Sequence, residues 1–163
     1  MDLGCGDGRH SDYFLSLGYQ VVGVDFCKEA INICTSRFKG KNAQFHFLDL
    51  TQKKVLEKLG KFDIVIDWSI LNHIRQEYLN SYLKNINSAI VEKGYLFVTA
   101  FDKSLPGIFK NKNYKVTRGH YSKAYSINGL IKLFSNLNLI DKKENILEDE
   151  INSYRFNTIL MRK

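Results

Sequence analysis

Short apolar runs alternate along the chain with segments of helical period. Residues 1–3 read as the end of a strand that runs into a glycine-rich loop. Residues 9–17 have a helical period, with Tyr13, Phe14 and Leu17 inward and Gly18 as the stop. Residues 20–24 are β-branched and predict a strand. Residues 28–38 predict a helix with Ala30, Ile31, Cys34 and Phe38 on one face. A strand over 44–48, a short helix over 52–59 and a buried strand over 62–66 follow. Residues 76–91 predict a long helix ended by Lys93-Gly94, and 95–101 another strand. From 102 to 125 no period holds, and the stretch is basic and aromatic. Loops of that length in compact domains are usually functional or disordered. Ser126 reads as the N-cap of a helix to Phe134, with Ile127, Leu130 and Ile131 apolar. Two last strands are expected over 138–145 and 154–161. Strands alternating with helices are the pattern of a doubly wound parallel sheet.

Composition narrows the class. The 163 residues fit one domain, and 44% hydrophobic content supplies a core. No stretch is long and apolar enough to span a bilayer, so no membrane partner is expected. Met1 is followed at once by Asp2, which leaves no basic n-region of a signal peptide. Cytoplasm is the expected location. Cys5, Cys27 and Cys34 lack CxxC spacing, which argues against a disulfide framework and a structural zinc site. The net charge of +7 leaves room for a nucleic-acid partner, but the lysines are spread out, as on a solvated surface.

Four constellations carry chemistry. Asp2-Leu3-Gly4-Cys5-Gly6-Asp7-Gly8 joins a strand to a helix. Glycines there let the backbone turn sharply and approach a ligand, and the helix N-terminus favours an anionic group. The spacing is G-x-G-x-G, and Arg9 stands where the later glycine of a dinucleotide binder belongs. Asp25 ends the second strand, where an acid accepts hydrogen bonds from ribose hydroxyls, or else caps the next helix. Asp49, in Phe47-Leu48-Asp49-Leu50, is placed to meet an adenine amine with Leu48 and Leu50 beside the ring, or is a turn aspartate. The strand Phe62-Asp63-Ile64-Val65-Ile66 opens into Asp67, Trp68, Ser69 and His73. Ligands of open α/β sheets bind at the carboxyl ends of strands. His73 is a candidate general base, or a histidine packed beside the long helix.

In this order the features resemble class I S-adenosylmethionine-dependent methyltransferases. Residues 2–8 look like that family's D/E-x-G-x-G-x-G motif, Asp25 its ribose acid, Asp49 its adenine acid and Asp67 the acid closing its fourth strand. Glu92-Lys93-Gly94-Tyr95-Leu96 is similar to the turn before its fifth strand, without the proline and with one glycine. Residues 67–74 with Tyr78 are similar to the loop of small tellurite-resistance and thiopurine-type methyltransferases, whose acceptors are small molecules. The resemblance implies a Rossmann-like three-layer α/β/α sandwich, with a mostly parallel sheet and an antiparallel C-terminal strand. It implies S-adenosylmethionine as cofactor. Asp2, Gly4, Cys5, Gly6 and Gly8 would shape the methionine end. Asp25 and Phe26 would meet the ribose, Asp49 and Leu50 the adenine, and Asp67 and Trp68 the sulfonium. His73 would serve catalysis, and Tyr114, His120 and Tyr121 would contact the acceptor. Rival readings are an RNA methyltransferase, a nicotinamide-dependent oxidoreductase and a non-catalytic binding module. The oligomeric expectation is a monomer or homodimer. Family members carry residues before the first motif, so the expectation is a single domain over 1–163 with its first strand and N-terminal cap incomplete.

Overall fold

In a computed structural model, which describes residues 1–102, 114–117, 119–148 and 153–163, the glycine loop leaves the middle strand of a sheet. β1 (Asp2–Leu3) ends where the chain turns at Gly4. α1 (Arg9–Ser16) returns to β2 (Val21–Asp25), which pairs parallel with β1. α2 (Lys28–Arg37) leads to β3 (Ala43–Phe47), parallel with β2. β4 (Phe62–Trp68) flanks β1 on its other side. α3 (Leu79–Ala89) precedes β5 (Ile90–Phe101), parallel with β4. β6 (Tyr114–Thr117) and β7 (His120–Lys123) form a separate antiparallel hairpin. α4 (Ile127–Leu133) is capped by Ser126, whose hydroxyl accepts from the Gly129 amide at 3.2 Å. β8 (Asn138–Glu148) and β9 (Ser153–Arg162) close the sheet antiparallel, in the order β3-β2-β1-β4-β5-β9-β8.

Two apolar cores hold the layers. Tyr82 and Ile86 of α3 and Leu130 of α4 pack on Leu3, Val24, Val65, Leu96 and Ile159 of the sheet. On the opposite face Ile31 and Cys34 of α2 pack with Cys5 and Phe38. Each large aliphatic side chain so buried contributes about 1.5–3 kcal/mol. The sandwich is therefore the expected one, with a mostly parallel sheet and antiparallel last strands.

Several expected details differ. Tyr13 and Leu17 point out to solvent, at 60% and 55% exposure, and Ser11 is the buried residue of α1. The helix expected over 52–59 is a single 3-10 turn at Glu57–Leu59. The helix expected over 76–91 begins with a 3-10 turn at Gln76–Tyr78 and stops at Ala89. Ile90 already pairs with Phe62, and the ladder resumes at Tyr95 after a bulge in which Lys93 takes φ 66°. The expected turn at Glu92-Lys93-Gly94 is thus a bulge within β5. Of the irregular stretch 102–125, residues 103–113 and 118 lie outside the described residues, and the rest yields the hairpin.

Candidate functional site

The loops after β1, β2, β3 and β4 converge on a cleft of about 610 Å³. Gly4, Asp25, Phe26, Leu48, Asp49 and Leu50 line one end. Ile70, His73, Ile74, Arg75 and Tyr78 form one side, and Gly119, His120 and Tyr121 of the hairpin close the other end. The parallel ladders bring together residues that are far apart in sequence, because β1, β2 and β4 end side by side.

Asp25 is the best-organised group. It is buried, and its two oxygens accept from the Gly6 amide at 2.9 Å and the Cys27 amide at 2.8 Å. An ionised carboxylate has about four lone-pair sites, so roughly one per oxygen stays free for a ligand. The cap expected as the alternative role of Asp25 is present in part, through Cys27 at the start of α2. Gly4 takes φ 65°, and a Cβ there would stand 2.0 Å from Ile70 Cδ1. Gly6 takes φ 53°, and nothing stands within 4 Å of the place a Cβ would fill. The loop therefore offers bare backbone to a ligand on the Gly6 side. Gly8 is the N-cap of α1, with no side-chain cap on that helix.

Asp49 holds a turn. Its Oδ1 accepts from the Thr51 amide at 2.9 Å and hydroxyl at 2.7 Å, and its Oδ2 from Gln52 Nε2 at 3.1 Å. Partial burial alone would raise its pKa, but these three donors hold it below the ordinary carboxylate value. The turn aspartate also lines the cleft. Beside it, Leu50 and Ile74 are buried and Phe26 stands at the rim, 76% exposed.

Six residues expected at the cofactor do not line the cleft: Gly6 and Gly8 belong to its loop, and Asp2, Cys5, Asp67 and Trp68 have other partners. Asp2 is buried and accepts from the Ser11 hydroxyl at 2.7 Å, facing a second cavity of about 170 Å³ between β2 and β4. The Cys5 side chain is packed with Cys34 and Phe38, where burial pushes its thiol far up. Trp68 stacks between His10 and Phe97, at centroid distances of 4.5 and 5.8 Å. Asp67 is fully buried and accepts from the Ile70 and Leu71 amides at 2.8 and 3.2 Å and from Tyr82 Oη at 2.8 Å. Asp67 therefore fixes the turn that carries Ile70, His73 and Arg75, and it ties that turn to α3. The reason is local: backbone amides left open where β4 ends take its oxygens before any ligand does.

Burial raises the Asp67 carboxyl to about 6, despite its three donors. The unfolded chain has its carboxyl near 3.8, so between those values the folded chain binds more protons. The stabilisation from this group is complete below about pH 4 and is lost as pH rises through 6, on the order of 3 kcal/mol. Asp67→Asn should remove that slope. Melting temperatures of both proteins between pH 4 and 7 would test it, and parallel curves would refute it.

His73 Nδ1 lies 3.0 Å from the Tyr121 carbonyl oxygen. A carbonyl only accepts, so Nδ1 carries the proton and neutral His73 keeps its lone pair on Nε2. Asn72 Nδ2 donates to the Lys123 carbonyl at 2.6 Å, and Lys123 Nζ donates to Gln76 Oε1 at 2.8 Å. These bonds clasp the hairpin to the turn after β4. Tyr121 and His120 thus reach the cleft as expected, while Tyr114 stacks behind Tyr121 at 5.9 Å. Sequence reasoning missed Arg75, whose guanidinium lies 5.6 Å from the Tyr121 ring centroid. Its only signal was a basic residue directly after the apolar Ile74, at the end of the expected site loop.

This sheet order and cleft define an α/β protein built to present a nucleoside-type ligand at its strand ends. The model of the methyltransferase domain family matches residues 1–94, more than half of the chain. The chain belongs to that family and is a class I S-adenosylmethionine-dependent methyltransferase. It is 27% identical over 135 residues to an uncharacterized methyltransferase of Schizosaccharomyces pombe, covering 82% of this chain and 90% of that one. It is 25% identical over 105 residues to a ubiquinone biosynthesis O-methyltransferase of Pelagibacter ubique, but spans only 42% of that protein and 64% of itself. In fold it matches a Methanosarcina mazei SAM-dependent methyltransferase, with TM-score 0.82, 18% identity and 99% and 90% coverage. It also matches 1,6-didemethyltoxoflavin-N1-methyltransferase of Burkholderia thailandensis, with TM-score 0.79, 19% identity and 99% and 69% coverage. TehB of Haemophilus influenzae matches with TM-score 0.73, 22% identity and 99% and 57% coverage. No described helix is long and apolar enough to cross a membrane. The cofactor is S-adenosylmethionine, and the open lone pairs of Asp25 and the bare Gly6 backbone fit it.

Proposed function

We propose that this chain methylates a small molecule held between the turn after β4 and the β6–β7 hairpin. The observation that carries the reading is the continuity of one cleft from Asp25 to Tyr121. Asp25 holds the ribose hydroxyls. Leu48, Leu50, Ile70 and Ile74 supply apolar walls for the adenine, with Asp49 at its edge. The Gly4–Gly8 loop and the uncapped start of α1 receive the methionine end. S-adenosylmethionine supplies an electrophilic methyl group on a sulfonium. The chain's own contribution is positioning, exclusion of water and removal of a proton from the acceptor.

His73 is the base. The Tyr121 carbonyl fixes its tautomer, and no described residue partners its Nε2. Two similar proteins support a small acceptor: a ubiquinone biosynthesis O-methyltransferase and a methyltransferase bound to 1,6-didemethyltoxoflavin. His73→Gln should lower kcat by roughly 10²-fold or more for an acceptor that must lose a proton, since general-base catalysis is worth about 10²–10⁴. Cofactor affinity should stay within about twofold, because His73 lies beyond the ribose acid. Single-turnover methyl transfer beside calorimetric cofactor titration would test this, and an unchanged rate would remove His73 from the mechanism.

A further inference from the structure

The cleft has two ends of opposite character. Its acids, Asp25 and Asp49, stand at the cofactor end. Its bases, His73, Arg75 and His120, stand at the other, with the rings of Tyr78 and Tyr121. The Arg75 guanidinium lies over the Tyr121 ring, and no described carboxylate pairs with it. Glu77, nearby and exposed, bears electrostatically on Tyr121 but forms no ion pair with Arg75. An arginine stacked on an aromatic face keeps its planar fork free for a carboxylate.

We infer that the acceptor is an aromatic hydroxy acid, with its carboxylate on Arg75, its ring beside Tyr78 and its hydroxyl at His73 Nε2. This rests on the methyltransferase reading above and adds the acceptor's chemical class. The acceptor hydroxyl gives its proton to Nε2, and its oxygen forms the new O–C bond. The carbon–sulfur electron pair stays on the departing thioether, and His73 then releases the proton to water. The carboxylate is not the nucleophile, because Arg75 occupies it.

The probes are the three hydroxybenzoates and their amides, titrated calorimetrically into the full chain with S-adenosylhomocysteine present. At least one acid should bind tenfold or more tighter than its amide. Arg75→Gln should bring that pair within about twofold by weakening the acid alone. With methyl-labelled S-adenosylmethionine the label should appear in the ether, as read by mass spectrometry. If S-adenosylhomocysteine binds but no acid outcompetes its amide, the acceptor class is wrong and the methyltransferase reading stands. Label in the methyl ester also overturns the assignment. If S-adenosylhomocysteine does not bind at all, the underlying reading fails and the acceptor class with it.

Discussion

Replacing Asp25 with alanine should weaken S-adenosylmethionine binding at least a hundredfold. Hydrogen bonds to a charged acceptor are worth roughly 1.5–3 kcal/mol each, and a ribose offers two hydroxyls. At about 1.4 kcal/mol per decade, losing both costs some two to four decades of affinity. The substitution also strips the Gly6 and Cys27 amides of their acceptor. The loop that receives the methionine end is then held less firmly. Asp25→Asn separates these effects. Its amide nitrogen cannot accept from a backbone N–H, so one clasp is lost while shape is kept, and an intermediate loss of about tenfold is expected. Calorimetric titration reads the affinities, and circular dichroism reports whether the sheet survives. An alanine variant that binds within threefold of the parent would remove the ribose assignment.

The second large effect separates two glycines that look alike in sequence. Gly4→Ala places a methyl 2.0 Å from Ile70 Cδ1 and 2.4 Å from Cγ1, at φ 65°. A left-handed alanine alone costs about 1–2 kcal/mol, and displacing Ile70 adds overpacking strain of about 1–3 kcal/mol. At roughly 2–4 °C per kcal/mol for a chain of this size, the melting temperature should fall by about 4–20 °C. Ile70 also lines the cleft, so affinity should fall too. Gly6→Ala meets nothing within 4 Å, so its folding cost is the backbone term alone. Its methyl instead fills the approach to the bare backbone. The expected result is a melting temperature lowered by only a few degrees and affinity reduced tenfold or more. Equal effects at both positions, in either assay, would contradict this division between packing and binding.

The strands and most helices were legible because their burial writes a period into the sequence. Residues 21–24 and 64–66 are apolar on both faces, as the middle of central parallel strands must be. The start of α4 was legible through Ser126, whose hydroxyl does cap it. The bulge in β5 was not, because Lys93 adopts its positive φ without being a glycine. The hairpin over 114–123 was not legible either. Its strands have four residues each, too short for alternation to stand out. At the site, the motif named Gly4, Asp25 and Asp49, which line the cleft. Asp2, Cys5, Asp67 and Trp68 do not line it, since spacing along the chain does not say which side of a strand end a side chain faces. Ser11 and Tyr82 decide that, and their contacts with Asp2 and Asp67 are tertiary. Arg75 was invisible for the same reason: its meaning comes from Tyr121, 46 positions later in the chain, whose ring its guanidinium covers.

The most direct test of the account is an equilibrium titration of the full chain with S-adenosylmethionine and, separately, with NADH. S-adenosylmethionine should bind saturably at one site per chain, with binding lost in Asp25→Ala, and NADH should not bind. Binding of NADH without binding of S-adenosylmethionine would contradict it.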